Sequence, residues 1–307
     1  MSTVEGSKIL VTGASGRIGS VVTRRLRAAG AWVTALSIDD SPSLEADRVL
    51  VGDTTSQDDV AAALDGVDTV VHLAALAHRD IAPPYDVYAT NVVSTFNVLA
   101  QAGALGISRA VVAGSINACG LPQNVHEVWP AYVPYDTHLP VDIADWYSLS
   151  KHQDESTARM AWRHWGIDVV TLRFPHVNSA EALLAQSRQL TDDPRGGLLE
   201  GWSYLTTEDA ARAVELSLTA PTTGAHAFFL AADRTLAPYR TEDLLDAFAP
   251  QVPRTRRLVG REVPIDLTPA RELIGFRAEH EIDVPTLDLP ARLRPDPSPH
   301  TSPSKEH

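Results

Sequence analysis

Short apolar runs alternate with amphipathic stretches along the first 177 residues of the chain. The runs are rich in valine, leucine and alanine, which is typical of buried strands, and the stretches between them repeat with the helical period. Strands are predicted at residues 8–11, 31–36, 48–51, 69–73, 110–113 and 169–172. Helices are predicted at about 17–29, 56–64, 85–105 and 146–165. Strands joined by helices predict a parallel sheet that is covered on both faces and doubly wound.

A glycine-rich segment, Thr12–Gly19, joins the first strand to the first helix. In a dinucleotide-binding turn, Gly13 permits the tight turn, Gly16 lets the backbone approach a pyrophosphate and Gly19 lets the helix pack against the strand. The helix N-terminus directs free N–H groups and partial positive charge at the phosphates. We therefore predict an α/β fold of the Rossmann type, a doubly wound parallel sheet that binds a dinucleotide.

The regular alternation fades from about Asn178. Weaker patterns predict helices at 180–189, 207–218 and 241–248 and a strand at 227–231. We interpret residues 1–177 as the dinucleotide-binding domain and 178–288 as a small, irregular substrate-binding part, some of whose segments return to the sheet. Residues 289–307 are rich in proline and lack an apolar period, so a disordered tail is predicted.

The composition limits the possible partners. A formal net charge of −13 disfavours nucleic acid, which needs a basic face. No run of apolar residues is long enough to span a membrane, and no signal peptide is recognisable at the N-terminus. The single Cys119 excludes an internal disulfide and fits a reducing cytoplasm, and no His or Cys pattern predicts a metal site.

Tyr147 and Lys151 are four residues apart on the predicted helix 146–165, so they share one face. A lysine ammonium beside a phenol stabilises the phenolate, which can then take a proton from a substrate hydroxyl as hydride moves to a nicotinamide. Ser115 follows the fifth strand, at the sheet edge where open α/β sheets bind ligands, and is expected to hold the substrate oxygen.

The choice between NAD and NADP depends on residues near the adenosine ribose. Ser37 ends the second strand and leaves the choice open, whereas Asp39 favours NAD because a carboxylate binds ribose hydroxyls and repels a 2′-phosphate. Arg17 would pair with a 2′-phosphate and favours NADP. Asp53 is expected either to reach the adenine amine or to stabilise a turn. We predict NAD, with NADP not excluded.

These motifs occur in the order found in the extended short-chain dehydrogenase/reductase family. They are Thr12–Gly19, Leu73–Ala75, Asn91, Ser115, Tyr147-x-x-x-Lys151 and residues 270–276. Over residues 8–280 the chain resembles the NAD-dependent epimerase/dehydratase branch of that family.

The resemblance implies that Ser115, Tyr147 and Lys151 are catalytic. The expected cofactor-binding residues are Gly13, Ser15, Gly16, Arg17, Ile18, Gly19, Ser37, Asp39, Asp53, Leu73, Ala74, Ala75, Asn91, Tyr147, Lys151, Pro175 and His176. For Asn91 the alternatives are support of a proton-relay water and helix packing. The family's common homodimer, which pairs helices 85–105 and 146–165 with those of a second copy, is also expected.

Departures from the family pattern bear on the reaction. Cys119 stands where family epimerases carry a tyrosine, and Ile116-Asn117 replaces the Asp-Glu pair of sugar-nucleotide dehydratases, which disfavours 4,6-dehydration. The expected substrate-binding residues are His78, Ser115, Asn117, His176 and Trp202. The preferred hypothesis is an oxidoreductase acting on a hydroxyl or ketone of a sugar-like small molecule in carbohydrate metabolism. The alternatives are a sugar or nucleotide-sugar epimerase with tightly bound NAD and, less favoured, a non-catalytic cofactor-binding protein.

Overall fold

The computed structural model of the protein describes residues 3–294, and its strands and helices follow the predicted alternation. The first half contains β1 (Lys8–Thr12), α1 (Arg17–Ala28), β2 (Trp32–Ser37), β3 (Arg48–Val51), α2 (Gln57–Leu64), β4 (Thr69–His72), α3 (Pro84–Ala104) and β5 (Arg109–Ser115). The second half contains α4 (Trp146–Trp165), β6 (Asp168–Phe174), β7 (His176–Asn178), α5 (Ala180–Asp192), β8 (Tyr204–Thr206), α6 (Thr207–Thr219), β9 (Ala225–Phe229), α7 (Thr241–Phe248) and α8 (Thr268–Ile274). Short 3₁₀ turns lie at Ile116–Cys119, Pro194–Glu200 and Ala291–Leu293.

Seven parallel strands form the main sheet, in the order β3-β2-β1-β4-β5-β6-β9. The chain moves outward from β1 to β2 and β3, and then returns to β4 on the other side of β1. This reversal between β1 and β4 is the point at which doubly wound sheets open a crevice for a ligand. The predicted Rossmann-type fold is confirmed.

Helices cover both faces of the sheet. On one face, α1 and α6 bury side chains such as Val22, Leu26 and Val214 against the strands. On the other face, α2, α3 and α4 bury Val60, Val98 and their neighbours. None of the helices within residues 3–294 is both long enough and apolar enough to span a bilayer.

Side-chain caps set several helix starts that the sequence predicts. The Ser56 hydroxyl accepts a hydrogen bond from the Asp59 N–H at 3.2 Å, at the start of α2. The Asp145 carboxylate accepts one from the Ser148 N–H at 2.9 Å, at the start of α4. Such caps satisfy N–H groups that have no partner within the helix. The cap at Asp145 places Tyr147 in the first turn of α4.

The part of the chain after β6 is divided between two cores. Strand β9 forms the edge of the main sheet beside β6, and helix α6 packs on the same sheet. The rest packs around a separate apolar core that includes Trp202, Tyr204 and Tyr239. Strands β7 and β8 form a small parallel sheet of their own.

The predicted tail begins too early. Leu289 is buried in the second core, and residues 291–293 form a 3₁₀ turn, because this stretch packs against the C-terminal part. Residues 289–294 are therefore folded, and the rest of the predicted tail, residues 295–307, lies outside the described residues.

Candidate active site

A cavity of about 410 Å³ opens at the carboxyl ends of β1, β4, β5 and β6. Predicted site residues line most of it. They are Gly13, Gly16, Arg17, Ile18, Gly19, Leu73, Ala75, His78, Ser115, Asn117, Tyr147, Lys151, Pro175 and His176. Residues from distant parts of the sequence therefore meet at the predicted edge of the sheet.

The glycine loop fits a diphosphate. Gly13 has a φ of 65°, and a Cβ atom there would lie 2.7 Å from the Ala74 nitrogen, so glycine is required for the close approach to the loop after β4. A Cβ on Gly19 would clash with the Gly13 carbonyl oxygen. Gly16 begins α1 without a side-chain cap, and the first turn carries no acidic residue. The N–H groups at this helix end are thus left for an anion.

Polar residues beside the glycine loop tie it to its neighbours. The Ser37 hydroxyl accepts a hydrogen bond from the Ser15 N–H at 2.9 Å, which fixes the loop to the end of β2. The Arg17 guanidinium donates to the Val177 carbonyl at 3.1 Å. This bond directs Arg17 toward β7, while Ser37 lies on the β2 side of the loop. The geometry therefore gives no support to the pairing of Arg17 with a 2′-phosphate.

Some residues with predicted cofactor contacts lie outside the cavity lining. One oxygen of Asp53 accepts a hydrogen bond from the Thr55 N–H at 2.8 Å, as a turn aspartate does. Asp39 is exposed, and the Ala74 N–H donates to the Thr12 hydroxyl at 3.3 Å. The cofactor contacts of Ser15, Ser37, Asp39, Asp53 and Ala74 stay predictions.

Asn91 binds protein groups and lies outside the cavity lining, and its expected role in cofactor binding stays a prediction. Its side chain is buried and clamps the backbone of Leu76, accepting from the N–H at 2.8 Å and donating to the carbonyl at 3.1 Å. It also donates to the Ser150 hydroxyl at 3.0 Å. Asn91 therefore joins the loop after β4 to α4, which agrees with the packing alternative.

The Lys151 ammonium is held by two hydrogen bonds and lines the same cavity as Tyr147. Its ammonium donates to the Ala113 carbonyl at 3.1 Å and to the Asp154 carboxylate at 3.1 Å. Burial acts to lower the pKa of Lys151, but Asp154 and Tyr147 act in the opposite direction and the net change is upward. The buried lysine thus remains an ammonium ion on the same helix face as Tyr147.

Ser115 is the last residue of β5 rather than the residue after it. Its hydroxyl oxygen accepts hydrogen bonds from the Asn117 backbone N–H and side-chain amide, both at 3.1 Å. These bonds leave the Ser115 hydroxyl hydrogen to donate into the cavity. The side-chain oxygen of Asn117 is buried and has no partner among the described residues.

His176 and His78 border the cavity in different ways. Burial, and then the charge of Arg17, lower the pKa of His176, so this ring is neutral near pH 7. His78 lies at the exposed rim, where its Nδ1 accepts a hydrogen bond from the Asp80 N–H at 3.2 Å. Both residues line the cavity, and their contact with substrate stays a prediction.

Trp202 does not reach the cavity, and its predicted contact with substrate is wrong. The side chain is 2% exposed and packs in the C-terminal core. Its indole N–H donates to the Pro194 carbonyl at 2.6 Å. The indole therefore has its polar atom satisfied by protein and its rings covered by apolar side chains.

Three features of the site were missed in the sequence. His72, on β4, lies between the hydroxyls of Thr12 (2.8 Å) and Thr95 (3.2 Å), and burial with the charge of Lys151 lowers its pKa to about 3. Asp154 pairs with Lys151, and its i+3 spacing was a usable signal. Glu200 lines the cavity from the C-terminal part, where no motif marks it.

This fold and cavity define a class of protein, the nicotinamide-dependent enzymes of the short-chain dehydrogenase/reductase type. A family model described as "NAD dependent epimerase/dehydratase family" matches residues 9–229, more than half of the chain. The chain belongs to the NAD-dependent epimerase/dehydratase family, which confirms the resemblance and the predicted cofactor, NAD. It therefore belongs to a group of NAD-dependent dehydrogenases and epimerases related to sugar metabolism.

Characterised relatives are distant. A uronate dehydrogenase of Pseudomonas putida is 25% identical over 178 residues, covering 56% of this chain and 62% of that protein. An NAD-dependent glucose-6-phosphate dehydrogenase of Haloferax volcanii is 30% identical over 176 residues, covering 54% of this chain and 66% of that protein. The chain thus matches less than two thirds of the length of either relative.

A solved structure supports the fold over most of the chain. It is a short-chain dehydrogenase/reductase superfamily protein from Agrobacterium tumefaciens with bound NAD, with a TM-score of 0.67 and 24% identity. The alignment covers 89% of this chain and 93% of that one. At this identity the likeness shows the fold alone.

Proposed function

We propose that this protein is an NAD-dependent oxidoreductase that moves a hydride between the nicotinamide and a hydroxyl or ketone of a sugar-like small molecule. One observation carries the proposal. Ser115 and Tyr147 line one cavity with the glycine loop, and Lys151 is buried there as an ammonium ion. This arrangement brings a hydrogen-bond donor, a proton acceptor and a cofactor loop to the same edge of the sheet.

The residues act on the substrate oxygen. In the direction of oxidation, Ser115 donates a hydrogen bond to that oxygen, and the Tyr147 phenolate takes its proton. A bound NAD would supply the acceptor for the hydride from the adjacent carbon. The products are a carbonyl compound, reduced cofactor and a protonated Tyr147, and the reverse direction returns the same proton. Lys151 stabilises the phenolate by its charge.

The same cavity supports the proposed cofactor contacts. The free N–H groups at the start of α1 and the open space beside Gly13 and Gly16 are suited to the diphosphate. Pro175 and His176 line the cavity after β6 and are proposed to lie against the nicotinamide. The bond from Arg17 to Val177 favours NAD, because it draws the only arginine of the loop toward β7.

A second candidate function is epimerisation of a sugar or nucleotide sugar with NAD that stays bound. The family contains such enzymes. A cavity of about 410 Å³ must hold both the nicotinamide end of the cofactor and the substrate, which favours a small substrate over a nucleotide sugar. We therefore place net oxidoreduction first.

The absorbance of reduced nicotinamide tests the choice. The purified protein is incubated with NAD and, separately, with neutral sugars, uronates, sugar phosphates and nucleotide sugars. Net formation of NADH with a sugar supports the oxidoreductase. Conversion of substrate without net NADH, by protein that purifies with bound NAD, supports the epimerase and contradicts the first proposal.

We further propose a homodimer through α3 and α4. Both helices leave apolar side chains on the surface, among them Val93, Phe96 at 51% exposure, and Leu149. A second copy would cover this surface. Sedimentation equilibrium of the native protein and of Phe96→Asp tests this: we expect a dimer that the substitution dissociates, and a native monomer contradicts it.

A further inference from the structure

Glu200 is a partly buried carboxyl group with no side-chain partner among the described residues. It is the last residue of the 3₁₀ turn Pro194–Glu200 and lines the cavity that Ser115 and Tyr147 also line. Its carboxyl group makes no ion pair and no hydrogen bond with the described residues, and burial raises its pKa with nothing to oppose the effect. A carboxyl group that the protein leaves unpaired at a cavity wall is available to accept hydrogen bonds from a ligand.

The positive charges near the cavity are engaged elsewhere. Among the described lining residues the arginines and lysines are Arg17 and Lys151, which donate to the Val177 carbonyl and to Asp154 respectively. Arg79 lies behind the lining, where its guanidinium donates to the Gln123 carbonyl at 2.6 Å. Neither lining cation makes an ion pair or a hydrogen bond with Glu200 within the part of the chain that the structure describes.

Neutral hydrogen-bonding groups make up the rest of the polar lining. They include the Ser115 hydroxyl, the unpartnered side-chain oxygen of Asn117 and the amide of Gln123. Hydroxyl groups can satisfy all of these, since each hydroxyl both donates and accepts. A carboxylate or phosphate on the substrate would instead bring a second negative charge next to Glu200, which has no ion-pair partner of its own among the described residues.

We propose that Glu200 selects a neutral polyhydroxy substrate, accepting hydrogen bonds from its hydroxyl groups, over a uronate, a sugar phosphate or a nucleotide sugar. This inference rests on the proposed oxidoreductase function and names its substrate class. It separates the chain from the two relatives described above, whose names specify a uronate and glucose 6-phosphate, both anions.

Matched pairs of sugars test the proposal. D-glucose with D-glucuronate and D-galactose with D-galacturonate differ within each pair only at C6, where a hydroxymethyl group is replaced by a carboxylate. The ratio of kcat/KM for the two members is measured by NADH formation, and their dissociation constants from the NADH complex are measured by calorimetry. We expect the native protein to prefer the neutral member at least about tenfold in both measurements.

Three variants relate the preference to the carboxylate. Glu200→Gln keeps the shape of the side chain and should bring the ratio close to one, and Glu200→Arg should reverse it in favour of the uronate. Asp192→Asn, an exposed acid near the end of α5, is the matched control and should leave the ratio unchanged. Thermal melting and NADH titration confirm that each variant is folded and binds cofactor.

The outcomes separate this proposal from the function on which it rests. A native preference for the uronate, or a ratio that Glu200→Gln does not change, overturns the role of Glu200 even if NADH forms. If no sugar reduces NAD, the proposed function fails, and the binding measurements alone decide the role of Glu200. In that case a preference for the neutral member supports it, and equal binding or no binding overturns it.

Discussion

The two walls of the cavity hold their polar side chains in different ways. On the wall that β5 and α4 form, the reacting groups are fixed by protein: Lys151 by Ala113 and Asp154, and Ser115 by Asn117. On the wall that the C-terminal part forms, the Glu200 side chain has no partner among residues 3–294. The proposed reacting groups of the first wall are therefore held in place by protein, whereas the carboxyl group on the second wall is left for a ligand in our proposal.

This difference matches two separate tasks. Groups that transfer a proton must be oriented before the substrate binds, because the accuracy of their positions sets the rate of the reaction. A group that selects a substrate gains specificity when only the correct ligand satisfies it. Changes to the β5–α4 wall should therefore alter the rate for every substrate, and changes to the C-terminal wall should alter the choice between substrates.

The largest effect is expected from Tyr147→Phe. Because the variant has no group to accept the substrate proton, kcat should fall by about 10³-fold, within the range for general acid–base catalysis. NADH binding, measured by fluorescence titration, should remain close to native. Equal losses for both members of each sugar pair are expected, and retention of full turnover would contradict the assigned mechanism.

Trp202→Ala tests whether Trp202 is part of the protein core or of the substrate-binding wall that Glu200 lines. Trp202 is buried in the second core, so truncation should lower the free energy of unfolding by about 3–5 kcal/mol, as for other buried aromatic side chains. Urea denaturation measures this, with Trp202→Phe as the milder control. A raised KM without loss of stability would restore Trp202 to the substrate site.

The β5–α4 wall was predictable from sequence, and the C-terminal wall was not. Gly13, Ser115 and Tyr147 lie in local patterns of strand, turn and helix, which the spacing of residues reveals. Glu200 reaches the cavity through packing between distant parts of residues 178–290, and no period encodes such packing. Trp202 was misplaced because an aromatic residue in an irregular segment fits a core as well as a binding wall.

Asp154→Asn tests the ion pair between Asp154 and Lys151. Without the carboxylate, Lys151 loses the leading influence that raises its pKa against burial, so that pKa falls. The alkaline limb of the pH–rate profile, where the ammonium is lost, should move to lower pH by about 1–2 units. Profiles of native protein, Asp154→Asn and the exposed control Asp86→Asn are compared.

If kcat falls equally at every pH and the alkaline limb of the pH–rate profile does not move, Asp154 has only a packing role in α4. The neighbouring charged and titratable groups are His72 on β4, Tyr147 and Glu155 on α4, and Arg173 on β6, which pairs with Glu155. His72 stays neutral above about pH 3, and Arg173 and Glu155 compensate each other. None of these groups is altered by the substitution, so a shift would report the Asp154–Lys151 pair.

The smallest effect is expected from Asn117→Ala, which changes the junction of the two walls. The substitution removes the hydrogen bond that the Asn117 side-chain amide donates to Ser115. It also removes the Asn117 side-chain oxygen, which has no partner among the described residues. The remaining bond from the backbone N–H keeps Ser115 in place, so kcat/KM should fall only about fivefold, or about 1 kcal/mol. If Asn117 belongs to the catalytic wall, both members of a sugar pair lose equally. If it also reads substrate hydroxyls, Asn117→Asp, which keeps the acceptor oxygen, should retain more activity toward the neutral sugar than Asn117→Ala does.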